Sequence, residues 1–284
     1  MEIVHFIPAT QRRFAMLAAQ SDNAPALISG APGTGKGQIA KWIHANGPRA
    51  SRPFVKANHD HPLTQQIFSS TGGTLLIPEI GEWPLSEQKN LLQYLNTRSV
   101  PHPENPTLSA IADTRIIATT DQSLEGRAQG GLFNSELLTK LNVFRLEMPA
   151  LTKRAEEFQD IVLGILGEIA REAHKQHLRD LSPDAWNRFK SYGWPGNLRE
   201  LRNVLKVAVV TAQGELVQVK DFPKFGPDRI DFHATREGFE KTYIVELLKT
   251  FGGDVEKTCR VSKIDKNTLM AKMKKYGIAG GSST

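Results

Sequence analysis

The feature that most constrains the fold is a glycine-rich turn between an apolar run and an amphipathic helical pattern. The apolar run Ala26–Ser29 leads into GAPGTGKG, and apolar residues at helical spacing follow over Lys36–Ala45. This is the G-x-x-x-x-G-K pattern of a phosphate-binding P-loop in its strand–loop–helix context. Glycines let successive backbone N–H groups turn toward one anion, while Lys36 and the helix dipole add positive charge. The candidate phosphate-binding residues are Gly30, Ala31, Pro32, Gly33, Thr34, Gly35, Lys36 and Gly37.

The P-loop pattern departs from its usual form at one position. Gly37 stands where a serine or threonine ordinarily follows the lysine. A glycine-rich turn before a helix can also be purely structural. The glycines, the lysine and the flanking elements together favour the binding of nucleotide phosphates.

The chain around this loop alternates short apolar runs with helical patterns, which is typical of a parallel α/β sheet. Helical patterns take over from Thr152 to Val219, and the proline- and glycine-containing segment 222–232 indicates a linker. Residues 237–278 then predict three helices; Gly252-Gly253 stops the first, and Asp254 and Asp265 can cap the other two. The expected strands are Ala26–Ser29, Phe54–Ala57, Thr74–Ile77, Thr114–Thr119 and Val143–Glu147, and the expected early helices are Lys36–Ala45 and Pro84–Asn96.

Positive charge is concentrated at the C-terminal end. The chain has 36 Lys and Arg against 30 Asp and Glu, a net charge of +6. The segment from Lys257 to Ile278 contains seven basic residues and one acid, Asp265, so it alone carries a formal charge of +6. The excess favours a polyanionic partner, although a solvated lysine-rich helix gives the same pattern.

Composition also bounds the environment of the protein. The single cysteine, Cys259, excludes an intramolecular disulfide and fits a reducing compartment. Apolar runs fall short of the ~20 residues that a membrane span needs, so we expect a cytoplasmic protein with no membrane contact. His59 to His61 and the pair His174/His177 lack completing ligands, so no metal site is expected.

Longer motifs follow the P-loop in a fixed order: GGTLLIPEIGE (Gly72–Glu82), TRIIATT (Thr114–Thr120), KLNVFRLEMPAL (Lys140–Leu151), WPGNLRELRNV (Trp194–Val204) and TLMAKMKKYGI (Thr268–Ile278). They resemble motifs of the bacterial enhancer-binding proteins, the AAA+ activators of sigma-54 RNA polymerase with a C-terminal Fis-type helix-turn-helix. The resemblance covers nearly the whole chain.

The resemblance implies an α/β fold: an AAA+ P-loop parallel sheet with a helical lid, followed by a small all-α helix-turn-helix domain. The boundaries expected are 1–150 for the nucleotide-binding domain, 151–222 for the lid, 223–232 for a linker and 233–284 for the DNA-binding domain. It also implies ATP or ADP as the cofactor and double-stranded DNA as a partner.

One departure from the family pattern affects the residues that position the metal ion, while those that position the attacking water are kept. The family's Walker B aspartate, which positions Mg²⁺, is Pro78, while the catalytic glutamate is kept as Glu79. Asn58 matches the asparagine that restrains this glutamate. Because proline offers no carboxylate, Mg²⁺ binding is doubtful and hydrolysis should be impaired, with Glu79 retaining a residual role.

Other departures affect the phosphate sensors and the polymerase contact. The two trans-acting arginines of the family correspond to Asn134 and Lys140, and the sensor asparagine to Asp121; the lid arginine is kept as Arg199. Only thirteen residues separate Asn58 from Gly72, where the family has a longer stretch carrying the GAFTGA loop that touches sigma-54. We therefore expect a degenerate member without that loop.

The C-terminal resemblance assigns Asp254–Val261 and Lys266–Tyr276 to the helix-turn-helix, with Leu269, Met273 and Ile278 facing the core. Fis-type domains dimerise through the helix corresponding to Glu237–Phe251, so a dimer is expected. Lys263 replaces the family's turn glycine, which disfavours an undistorted turn. A basic three-helix domain can instead dock another protein. The candidate DNA-contacting residues are Lys266, Asn267, Thr268, Lys272 and Lys275.

Taken together, these features predict a DNA-binding transcriptional regulator that binds ATP or ADP, hydrolyses it poorly and cannot activate sigma-54 polymerase alone. Two alternatives stay open: an active ATPase completed by a partner subunit, and a regulatory subunit that inserts into hexamers of another enhancer-binding protein.

Overall fold

A computed structural model of the chain describes residues 6–223, 225, 241, 243–249, 251–262, 264–276 and 278. The chain divides into two compact units. One is formed by residues 1–165 together with 193–202, and the other by residues 166–192 together with 203–284. The first unit contains the P-loop, and the second contains the C-terminal helices.

The first unit is built on a parallel sheet of five strands and carries a short antiparallel hairpin. Its strands are β1 (Ala26–Gly30), β2 (Phe54–Lys56), β3 (Thr74–Ile77), β4 (Ser99–Pro101), β5 (Ser109–Ile111), β6 (Arg115–Thr120) and β7 (Phe144–Met148). The order in the parallel sheet is β2-β3-β6-β1-β7. The strands expected from the sequence are all present, and their ends lie within one residue of the predicted bounds. The hairpin of β4 with β5 was not predicted.

The helices of the described residues agree with most of the bounds expected from the sequence. They are α1 (Arg12–Gln20), α2 (Lys36–Ala45), α3 (Leu63–Ser69), α4 (Leu85–Thr97), α5 (Leu124–Gln129), α6 (Ser135–Leu141), α7 (Phe158–Glu172), α8 (Pro183–Ser191), α9 (Asn197–Thr211), α10 (243–249), α11 (Val255–Ser262) and α12 (Lys266–Tyr276). The predicted bounds of α2 and α12 are confirmed, and those of α4 and α11 shift by one residue. The short helices α1, α3, α5 and α6 were not predicted.

Each central strand supplies side chains to two separate hydrophobic clusters, because successive side chains of a strand point to opposite faces. In β1, Ala26 and Ile28 join a cluster with α1 and α2, while Leu27 joins a cluster with α3, α4 and α6. Such a sheet is buried on both faces, which is the usual arrangement for parallel strands. This double anchoring fixes the end of β1, where the P-loop begins.

Arg49 and His44 are buried polar residues near the amino ends of the strands. Arg49 is 5% exposed; its guanidinium donates to Gly73 O (3.0 Å) and Asp113 O (2.6 Å) and pairs with the Asp22 and Asp113 carboxylates. This guanidinium lowers the pKa of Asp22. On α2, burial lowers the pKa of His44, whose Nδ1 lies 2.9 Å from Thr74 Oγ1.

The second unit corrects the position expected for the linker. Phe225, placed in the predicted linker 223–232, is buried, and its ring centroid lies 5.4 Å from that of Phe189. Phe222 also packs on Phe189, with a centroid distance of 4.7 Å. The chain thus remains packed on its own unit at least as far as this residue. Residues 226–240, which include the rest of the predicted linker, lie outside the described residues.

The C-terminal helices of this unit share one small core. Ile244 and Leu248 of α10 pack with Leu269 and Met273 of α12. Gly253 ends α10 with a positive φ of 83°, and its N–H donates to Leu248 O (2.7 Å). The predicted core positions of α12 and the glycine stop are confirmed. Residues 237–240, in the predicted dimerisation helix, and Lys263 lie outside the described residues.

Candidate nucleotide-binding site

The P-loop turns immediately at the end of β1 and is backed by the chain around residue 196. A Cβ on Gly33, whose φ is +80°, would lie 2.2 Å from Gly196 O. No other residue fits at this position without moving the backbone. Within the loop, the Thr34 hydroxyl donates to Ala31 O (2.8 Å). The loop is therefore a tightly supported turn that leads directly into α2.

Lys36 is buried at the start of α2 and contacts the protein through two acceptors. Its Nζ donates to Gly30 O (2.7 Å) and lies 3.2 Å from Glu79 Oε1. The other Glu79 oxygen, Oε2, accepts the N–H of Asp121 (2.6 Å). Glu79 has a positive φ of 43°. Both oxygens of the candidate catalytic carboxylate are thus engaged by the protein.

Asn58, the residue expected to restrain Glu79, forms hydrogen bonds to other residues. Asn58 Oδ1 accepts the N–H of Asp60 (3.1 Å), and among the described residues no hydrogen bond joins Asn58 to Glu79. The Asn58 backbone is held by the buried Gln66, whose Oε1 accepts Asn58 N–H (2.9 Å) and whose Nε2 donates to Asn58 O (2.8 Å). The predicted pairing of Asn58 with Glu79 is not formed here.

The resemblance implies two side-chain positions that would hold Mg²⁺ beside the P-loop. Mg²⁺ requires oxygen ligands in near-octahedral geometry. The hydroxyl position is Gly37, where a Cβ would meet nothing within 4 Å, and the carboxylate position is Pro78. The Pro78 carbonyl accepts the Trp83 indole N–H (3.0 Å). Neither position supplies a side-chain oxygen.

The lid motif reaches the loop through its backbone and through Asn197. Asn197 is 4% exposed and has a positive φ of 53°. Its Nδ2 donates to Pro32 O (2.9 Å), and its Oδ1 accepts Leu151 N–H (2.8 Å). Arg199 N–H donates to Gly33 O (3.2 Å), while the Arg199 side chain is exposed. The structure therefore brings the retained lid arginine beside the P-loop.

The positions of the family's two trans-acting arginines lie on α6. Asn134 caps this helix: its Oδ1 accepts Leu137 N–H (3.0 Å), and its own N–H donates to the buried Gln88 (2.9 Å). Lys140, in the last turn, is exposed. Asn134 thus has a structural role as a helix cap.

The candidate DNA-contacting residues lie on α12 in different environments. Asn267, Thr268 and Lys275 are exposed, and Lys272 is half-buried. Lys266 is exposed but pairs with Glu256 of α11 at 2.8 Å. The predicted caps are confirmed, since Asp265 accepts Thr268 N–H (3.1 Å) and Asp254 accepts Lys257 N–H (3.0 Å). The helix presents polar and basic groups along its outer side.

Sequence reasoning missed two sets of contacts at this site. Asn197 lies inside the quoted lid motif, but its partners are Pro32 and Leu151, which are remote in sequence. The His59 ring stacks on Trp83 with centroids 4.3 Å apart. The only local signal for the Asn197 contacts is an asparagine directly after Pro-Gly. Nothing in the local sequence indicates the contact between His59 and Trp83.

Comparison with known proteins agrees with this geometry. Residues 6–151 match the family described as Sigma-54 interaction domain, residues 152–230 the AAA+ ATPase lid domain, and residues 235–276 the Fis family of bacterial regulatory proteins. The chain therefore belongs to the Sigma-54 interaction domain family. Its α/β class is that of the AAA+ P-loop proteins with a helical lid and C-terminal helix-turn-helix.

Particular relatives share most of this chain. It is 32% identical to the regulatory protein AtoC of Escherichia coli K12, covering 90% of this chain and 63% of that protein. It is 28% identical to NtrX of Brucella abortus in complex with ADP (TM-score 0.65; 94% of this chain and 68% of NtrX) and 27% identical to NtrX in complex with ATP (TM-score 0.63; 94% and 67%). The chain spans about 63% of the length of curated relatives such as AtoC. Among the described helices, none has the length and apolar character to cross a bilayer.

Proposed function

We propose that this chain is a DNA-binding transcription regulator that uses ATP or ADP as a bound ligand rather than as a fuel. The observation that carries the proposal is the state of the hydrolytic groups. Gly37 and Pro78 supply no metal ligand, and both oxygens of Glu79 are engaged, by Lys36 and by Asp121 N–H. Phosphoryl transfer depends on a metal that neutralises charge between the β- and γ-oxygens.

The phosphate cradle itself supports nucleotide binding. Its glycine turn is fixed by Gly196 and Asn197, and Lys36 lies at the start of α2 with the helix dipole behind it. NtrX, a relative with this fold, has been seen with ADP and with ATP. Arg199 lies beside the loop and is the candidate for a lid contact to the phosphates.

The segment between Asn58 and Gly72 supports a loss of polymerase contact. It holds α3 alone, flanked by turns. Gln66 of α3 binds the backbone of Asn58 and of His61, and Thr114 Oγ1 donates to Ile67 O (2.7 Å). These contacts hold the segment close to the sheet. We therefore infer that the chain has no projecting loop here and cannot activate sigma-54 polymerase alone.

The C-terminal helices support DNA as the partner. The +6 segment from Lys257 to Ile278 contains α12 and all of α11 except its first two residues. The exposed side of α12 carries Asn267, Thr268 and Lys275. A recognition helix of this kind requires a dimer to reach two half-sites. A homodimer on double-stranded DNA is the arrangement proposed.

Nucleotide calorimetry and a turnover assay test the first part. ATP or ADP should bind, Lys36→Ala should weaken binding at least roughly tenfold by removing a charge–phosphate contact, and steady turnover should be undetectable. Lys41→Ala, on the exposed side of the same helix, is the matched control. Turnover that disappears in Glu79→Gln would instead support an active ATPase.

Two further assays test the regulatory part. Gel shifts should detect duplex binding that is lost when residues 233–284 are deleted. Reconstituted sigma-54 transcription should show no open complexes with this protein alone. If DNA binding persists after the deletion, the assignment of the DNA-binding domain is wrong. Stable co-purification with an intact enhancer-binding protein would favour the regulatory-subunit alternative.

A further inference from the structure

The charges around the P-loop lysine carry an inference about which nucleotide binds. Lys36 has three N–H donors, and two of them face Gly30 O (2.7 Å) and Glu79 Oε1 (3.2 Å). A phosphate oxygen that approaches this lysine therefore shares it with a carboxylate. The carboxylate cannot swing away freely, because its second oxygen accepts Asp121 N–H at 2.6 Å.

Immediately around Lys36, acids outnumber cations. Lys36 contributes one positive charge, while Glu79 and the neighbouring exposed Asp121 contribute two negative charges. A further cation beside the loop is Arg199, which contacts Gly33 O through its N–H (3.2 Å) and has an exposed side chain. Among the described residues, Lys36 is the cation paired with Glu79. In working P-loop enzymes a metal ion offsets the phosphate charge, but Gly37 and Pro78 offer it no side-chain oxygen.

From this arrangement we propose that the site selects nucleoside diphosphate over triphosphate and binds it without Mg²⁺. The inference rests on the proposed nucleotide binding. A diphosphate uses the backbone N–H groups of the glycine turn and the remaining donor of Lys36. A γ-phosphate would add charge next to Glu79 and Asp121 with no metal to neutralise it, so each added phosphate oxygen is opposed by a fixed carboxylate.

Calorimetry on the full chain tests this with ADP and ATP, each in excess EDTA and in millimolar Mg²⁺. The ADP dissociation constant should change less than about threefold between the two buffers. ATP in EDTA should bind at least roughly tenfold more weakly than ADP, a difference of about 1.4 kcal/mol. Both results follow from a site that lacks metal ligands and opposes added charge.

Three variants separate the causes. Glu79→Gln removes the charge in the same shape and should tighten ATP roughly tenfold with little change for ADP. Glu82→Gln makes the same charge change three residues along, on an exposed side chain, and should alter neither. The double variant Gly37→Thr, Pro78→Asp restores both missing oxygens, and Mg²⁺ should then strengthen ATP binding; the space at Gly37 is open.

The outcomes are distinguishable. A tenfold loss of ADP affinity in EDTA would overturn metal independence, and equal affinities for ATP and ADP in EDTA would overturn the selectivity; both leave the proposed nucleotide binding intact. An absence of binding for both nucleotides in both buffers would instead overturn the nucleotide part of the proposed function, and this inference with it.

Discussion

Replacing Asn197 by alanine tests whether the lid motif supports the P-loop. The substitution leaves Leu151 N–H, a buried donor, without its acceptor at 2.8 Å, which costs about 1–3 kcal/mol. It also places alanine at a φ of 53°, which costs about 1 kcal/mol more. The Pro32 carbonyl loses its donor too, but Pro32 is exposed and water can replace that contact. We expect a loss of about 2–4 kcal/mol in the free energy of unfolding.

Urea unfolding followed by tryptophan fluorescence measures this loss, and two further variants divide it. Asn197→Gly tolerates the positive φ and should lose about 1 kcal/mol less than alanine. Asn197→Asp keeps an acceptor for Leu151 N–H but sets an oxygen against Pro32 O. An alanine variant that unfolds at the wild-type urea concentration would refute the role assigned to these contacts. Equal losses for alanine and glycine would refute the backbone contribution alone.

Three further predictions concern buried charge and the C-terminal helices. Burial lowers the pKa of His44 below 6.5, so the unfolded chain binds this proton more readily than the folded chain does. The free energy of unfolding should therefore fall as the pH drops below 6.5. Urea titrations at several pH values should show a smaller fall for His44→Gln. In the same assay, Arg49→Met should lower the free energy of unfolding by about 2 kcal/mol, because its charged hydrogen bonds are lost. Because Arg49 lowers the pKa of Asp22, the stability that Asp22 contributes in the wild type should be lost as the pH falls below the usual aspartate pKa of 3.8. No change in either measurement would contradict the contacts assigned to Arg49. Lys272→Ala or Lys275→Ala should weaken duplex binding on any sequence and flatten the log–log salt slope in anisotropy titrations by about 1 per lost contact, counted over a dimer; an unchanged slope would exclude a phosphate contact.

Regular patterns along the chain predicted the scaffold well. The continuous apolar runs of β1 and β6 are typical of strands buried on both faces, and they located these strands to within one residue. The helix α12 was predicted because Asp265 caps it and Leu269 and Met273 mark its buried side. These signals are local, so the sequence displays them directly.

The contacts that fix the site were harder to predict because they join distant residues. Asn197 meets a carbonyl 165 positions earlier in the chain. The restraint expected between Asn58 and Glu79 depended on resemblance, and the structure shows Gln66 holding Asn58 instead. The prolines and glycine around Phe225 predicted a linker, but the Phe225 ring is buried and packs edge-to-face on Phe189.

The strand order has a consequence for how the protein is made. β1 leaves the ribosome before both of its neighbours, β6 and β7, which lie far downstream at Arg115–Thr120 and Phe144–Met148. The backbone groups on one edge of β1 therefore have no partner until β6 is translated, and those on the other edge have none until β7 is translated. An apolar strand with two open edges is prone to pairing with other chains. Nascent chains stalled before Phe144 should consequently depend on holding chaperones, whereas chains released beyond Met148 can close the sheet around their first strand.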